Sequence, residues 1–151
     1  MGRKPVGQGQ HFYFCVALLI FVAGCSLLQE SNRERQLRDA LNSGNNLLAH
    51  GDYDGSLKVF QNVLAQAQDR PPGDAATYNR GLLYAHPQYG KRDIQKAIGS
   101  FKRVVTRYPD SPWAEQAKIW AGVLSESEES KQQVETSRQM VEQSLQEAEK
   151  Q

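Results

Sequence analysis

The chain has 151 residues, 39% of them hydrophobic, with 18 Lys and Arg against 17 Asp and Glu and a formal net charge of +1. That length suits one modest domain. With so near-neutral a balance, no overall charge points to a nucleic-acid partner, and none is expected.

The first residues carry Arg3 and Lys4 and no acid, and Phe12 to Val22 is apolar throughout. A run of roughly eleven apolar residues fits the h-region of a signal peptide and falls short of the ~20 needed to span a bilayer. Val22, Ala23, Gly24 and Cys25 follow. Two small residues before a cysteine resemble the lipobox of bacterial lipoproteins. The resemblance implies that residues 1–24 are removed, with Val22, Ala23 and Gly24 read by the signal peptidase, and that Cys25 is acylated. Residues 25–34 would then form a lipidated tether. Ser26 after the cysteine implies the outer membrane, because an Asp there favours inner-membrane retention in the proteobacterial family. Several acyl chains anchor far more firmly than one, at ~0.8 kcal/mol per buried CH₂. Cys15 leaves with the signal and Cys25 is consumed, so no thiol remains for a disulfide or a cysteine metal site. No cofactor is expected beyond the covalent lipid on Cys25.

The remainder reads as helix. Leu37, Leu41, Leu47 and Leu48 recur at helical spacing, as do Leu57, Phe60, Val63 and Leu64, and then Ile94, Ala97, Ile98, Phe101, Val104 and Val105. Breakers fall between them: Gly51-Asp52, Pro71-Pro72-Gly73, His86-Pro87 to Gly90, and Pro109 to Pro112. Asp54 and Asp74 suit N-cap positions, and Ser111-Pro112 suits the start of a further helix. The expectation is all-α: five amphipathic helices in antiparallel pairs over residues 35–125, then a polar sixth helix over residues 126–151.

The pairs repeat. Gly44, Gly51-Asp52-Tyr53, Ser56 and Phe60 are matched by Gly81, Tyr84, Ala97, Phe101 and Pro109, and a third start appears at Ala117 to Gly122. This pattern resembles the tetratricopeptide repeat and implies a short solenoid. In that family small residues meet where two helices cross, so Gly44 is expected against Ser56 and Gly81 against Ala97, with Phe60 and Phe101 filling the space beside them. Gly122 takes the same position in the third unit. The spacings of 37 and 41 residues exceed the usual 34 through longer connections. Arg107 to Ala117, with its run Tyr108-Pro109-Asp110-Ser111-Pro112-Trp113-Ala114-Glu115-Gln116-Ala117, resembles the repeat junctions of periplasmic tetratricopeptide proteins such as the outer-membrane assembly lipoprotein BamD and the division coordinator CpoB.

In such stacks the first helix of each pair lines a groove that takes a peptide. On this register Arg38, Asn45 and Leu48 face the groove from the first unit, Tyr78, Asn79 and Leu82 from the second, and Gln116 and Trp120 from the third. Arg92, Lys96, Arg103 and Arg107 fall near one stripe of the second unit, either a solvated face or a contact for lipid head groups. Past Glu126, Val134, Val141, Leu145 and Ala148 form a thin apolar seam interrupted by Arg138. That segment either caps the last repeat, enters a coiled coil that would support an oligomer, or stands alone in solvent.

His50 and His86 sit at helix ends, where a cation is favourable without any chemistry. No catalytic motif and no metal-ligand spacing is present. The expected role is a non-enzymatic, lipid-anchored adaptor on the periplasmic face of a bacterial envelope. It would bind an envelope protein or complex through its groove, in outer-membrane protein assembly or envelope maintenance. An accessory to an envelope sensor is the alternative, and a cell-wall hydrolase ranks last.

Overall fold

The computed structural model describes residues 30–150. Val22, Ala23, Gly24 and the lipidation candidate Cys25 lie outside the described residues. Five helices and no strand occur among those described: α1 (residues 30–49), α2 (Tyr53–Ala67), α3 (Gly73–Ala85), α4 (Ile94–Arg107) and α5 (Ala114–Ala148). α1 takes in residues 30–34, part of the expected tether over 25–34. No Gly or Pro interrupts Glu30 to Glu34, and Glu30 pairs with Arg70 beyond the end of α2.

The boundaries follow from local chemistry. Gly51 closes the α1–α2 turn at φ +81°, a conformation that a Cβ would strain. Asp52, rather than Asp54, caps α2: its Oδ1 accepts from the Gly55 amide at 2.9 Å. α2 has no closing proline and stops instead on two left-handed residues, Gln68 and Asp69. The N-cap position of α3 is Pro72, not Asp74. Asp74 sits in the first turn, buried, and accepts a 2.7 Å hydrogen bond from the Ser111 hydroxyl. Asp93 caps α4 through the Lys96 amide at 2.9 Å. Ser111 prepares α5 from two residues further back than a cap, accepting from the Trp113 amide at 3.2 Å.

Two apolar cores share α3. In one, Leu41 of α1 and Phe60 and Val63 of α2 meet Ala75, Ala76 and Leu83 of α3, with Tyr89 closing the end. In the other, Tyr78 of α3 meets Ala97, Phe101 and Val104 of α4 and Ala117 and Ala121 of α5. Phe60, Val63, Leu83, Phe101 and Val104 are fully buried. Each such side chain contributes ~1.5–3 kcal/mol by leaving water. α3 is consequently buried at every residue from Gly73 to Tyr78.

The repeat is visible in the tertiary bonding. Asn79 donates to Asn45 across 34 residues, Tyr53 to Gln88 and Tyr89 to Asp54 across 35, and Ser111 to Asp74 across 37. Bonds spanning roughly one repeat length thus tie successive units together, as stacking requires.

The expected helix count also needs correction. The fifth and sixth predicted helices are a single helix, α5, of 35 residues, about 50 Å long at 1.5 Å per residue. Nothing between Ser125 and Glu129 breaks helical geometry, so the chain has no place to turn back over the last repeat. Beyond Glu126 all described residues are exposed except the half-buried Glu128, so this segment does not act as a cap.

Candidate protein-binding surface

The helix crossings set the geometry of the surface. A Cβ built on Gly44 would lie 2.7 Å from Cε1 of Phe60 and 3.1 Å from Cγ1 of Val59. One built on Gly81 would lie 2.7 Å from Cε1 of Phe101. The glycines therefore seat the phenyl rings themselves; the expected opposition to Ser56 and Ala97 is not the closest contact. Ser56 and Ala97 are nonetheless fully buried one turn before those rings. Gly122 differs: it is exposed, and a Cβ there would meet nothing within 4 Å.

The expected groove residues divide. Asn45 and Asn79 come together, the Asn79 Nδ2 donating to Asn45 Oδ1 at 2.7 Å, and both are half-buried. Leu48 packs against the first core and Leu82 against the second. Tyr78 is itself core, 6% exposed, with Trp113 stacked on its ring at 4.9 Å. Arg38 is exposed and turned to Glu34 on its own helix at 2.6 Å. Gln116 is exposed. Trp120 is 41% exposed and stacks over Phe101 at 6.4 Å, a rim position.

The concavities lie elsewhere. One of about 130 Å³ opens between the start of α1 and the end of α2, over Leu37 and Ala67. Another, of about 250 Å³, lies between the α1–α2 and α3–α4 turns, lined by Tyr53, Asp54, Tyr89 and Lys91. A shallow third, of about 510 Å³, lies on α5 between Val123 and Val134.

The turn region forms an aromatic ledge whose partners lie in different repeats and share no local sequence signal. Tyr53 packs 4.9 Å from His86 and 5.4 Å from Tyr89. Asp54 receives Lys91 at 2.6 Å and the Tyr89 hydroxyl at 3.0 Å. These two bonds hold the Asp54 carboxyl below its ordinary range, while burial and the bond to Asp54 push the Tyr89 phenol up. His50 is tied to the Asn46 carbonyl at 2.7 Å. Among the described residues no cluster of three or more His, Cys, Asp or Glu is placed to hold a metal.

The basic stripe is largely engaged. Arg103 and Arg107 approach Asp69 at 3.6 and 3.5 Å, Lys96 pairs with Asp93 at 2.8 Å, and Arg92 Nε donates to the Ala85 carbonyl at 3.2 Å. Exposed pairs of this kind contribute little stability individually. Arg80, half-buried beside Ser100, has its guanidinium pKa lowered by burial, with Arg103 adding to the effect.

Among the described residues the exposed large hydrophobics lie on α5. Ile119 is 57% exposed and Val123 53%, with Val134, Val141 and Leu145 further along the helix. Ile119 and Val123 flank Gly122 on the side away from Ala117 and Ala121. Their signal was present in the 41-residue spacing, which aligns them with Tyr78 and Leu82.

The fold is a stack of helix pairs built on a repeated glycine–phenylalanine crossing. A family model described as "Tetratricopeptide repeat" matches residues 75–111, which covers α3 from its third residue, α4 and the junction after them. No curated protein and no solved structure matches the chain. The matched unit is a protein-interaction repeat, and such repeats are generally scaffolds rather than catalysts.

Proposed function

We propose that this chain is a lipid-anchored adaptor of a bacterial cell envelope, facing the periplasm, that holds another envelope protein through its repeat stack. The observation that carries the binding half is the repeat over residues 75–111, followed by a helix whose Ile119, Val123 and Trp120 stay uncovered. The anchoring half rests on Val22-Ala23-Gly24-Cys25 after a basic start and a short apolar run. Ser26 favours the outer membrane. Outer-membrane protein assembly or envelope maintenance is the setting that the Tyr108-to-Pro112 junction suggests. The surface acts by shape, apolar contact and the charge at its edges, and no cofactor enters.

Labelling of cells with a palmitate analogue tests the anchor. The wild-type chain is expected to take label and fractionate with outer membranes, and Cys25→Ser to lose the label and accumulate as a larger precursor. Unchanged size and labelling in Cys25→Ser would refute the anchor. Cross-linking in intact cells, followed by recovery through the repeat, tests the adaptor role. An envelope protein recovered with the wild type and lost with Phe101→Ala is the expected result.

A further inference from the structure

We propose that the outer face of α5 at Ile119, Gly122 and Val123 is the seat of a basic amphipathic helix donated by a partner protein, which completes the third repeat. The proposal deepens the protein-binding reading above by naming the site and the chemistry of its occupant.

The argument comes from the two finished units. α1 and α3 each carry a glycine that receives a phenyl ring from the helix that follows, Phe60 on Gly44 and Phe101 on Gly81. α5 repeats the first-helix pattern 41 residues after α3. Its inner face behaves as α3 does toward the preceding helix: Ala117 is fully buried, like its counterpart Ala76. Its outer face corresponds to the side of α3 that α4 covers. There Tyr78 is 6% exposed, whereas Ile119, the counterpart, is 57% exposed. Gly122 stands open where its two counterparts are occupied. No second helix follows among the described residues, because α5 runs straight on to Ala148. The open face thus continues an interface the molecule already uses twice.

The flanks state the charge of the occupant. Glu115, Ile119, Gly122, Glu126 and Glu129 are spaced 4, 3, 4 and 3 residues apart and so form one stripe of α5. Three carboxylates bracket the apolar centre, with Lys118 beside them. A complementary helix is basic at its edges and carries a small residue four positions before an aromatic. The α4 segment has that character: Ala97 and Phe101 lie four apart, and Lys96, Lys102, Arg103 and Arg107 are accompanied by no acid between Ile94 and Arg107.

That segment supplies the probe. A synthetic peptide of residues 93–108, blocked at both ends, is titrated into the full chain by calorimetry. Saturable binding is expected. Phe101→Ala in the peptide, and Gly122→Leu or Val123→Asp in the protein, are each expected to weaken it by at least about tenfold, as loss of an interface anchor does. Both protein positions are exposed, so the variants should melt no lower than wild type, separating loss of the seat from loss of the fold. No binding by the wild type, or equal binding by both variants, overturns the proposal. Self-association of the wild type that Gly122→Leu abolishes assigns the seat to a second copy and also overturns it. Lipid labelling and membrane fractionation do not involve this face, so its failure leaves the anchor reading intact.

Discussion

At the scale of single residues, glycines with the same sequence appearance do opposite work. Gly44 and Gly81 lie under phenyl rings that are themselves fully buried, and neither ring has room to retreat. Gly81→Leu is expected to destabilise by about 1–3 kcal/mol through overpacking. Gly99 and Gly122 are exposed within helices and face open space. Changing either to Ala is expected to stabilise by about 0.5–1 kcal/mol, the ordinary helix-interior cost of glycine. Urea denaturation of the three variants checks the contrast, and a stabilised Gly81 variant would mean that the crossing is misplaced. Ser56 adds a second residue-scale case. It is fully buried, and its hydroxyl finds no partner in the described chain. Ser56→Ala removes an unsatisfied polar group and adds helix propensity, so a gain of about 1–2 kcal/mol is expected in the same assay.

At the scale of elements, the turns and the long helix behave differently from what their sequences suggest. Asp54, two residues past a turn, looks like a cap, yet Asp52 caps α2 and Asp54 reaches across to Lys91 and Tyr89 of the next unit. Local sequence cannot distinguish the two acids, because the deciding partners lie 35 and 37 residues away. The pH dependence of this junction follows from its shifts. The lowered Asp54 pKa means its contribution is present above the ordinary carboxylate value of 3.8 and is lost as pH falls through the folded-state pKa. The raised Tyr89 pKa means its contribution is full below 10.0 and is lost as pH rises through the folded-state value. Melting temperatures of wild type and Asp54→Asn should converge at the acid end and separate at neutral pH; a constant difference down to pH 2 would contradict the assignment. The helix pairs were legible because apolar spacing and Pro/Gly breakers coincide. The fusion of the last two predicted helices was not, because composition changes at Glu126 while helical geometry does not. Polar Gln, Glu, Ser and Lys mark a change of environment there, not an end of the helix.

At the scale of the whole molecule, α3 is sandwiched between two cores and α5 is held on one side only. Stability should therefore be graded along the chain. Phe101, which joins α3, α4 and α5, is expected to be worth about 3–5 kcal/mol on truncation to Ala. Residues past Glu126 add no core contact, so removing them should leave the melting temperature of the repeats nearly unchanged. The candidate groove was legible only in outline. Asn45 and Asn79 are joined by a hydrogen bond, but Tyr78 is consumed by packing on Trp113 and Phe101, and Arg38 turns to its own helix. Those outcomes depend on which neighbours the tertiary fold brings together, information that a single helix period does not hold.

The claim on which the account rests is that α5 belongs to the repeat stack for its first three turns and stands free beyond them, leaving a half-built third unit. Hydrogen exchange read by mass spectrometry on the dilute full chain tests this most directly. Slow exchange in α3, α4 and residues 114–125, with rapid exchange from about residue 128 onward, is the expected result. Equal protection along the whole of α5 would contradict it.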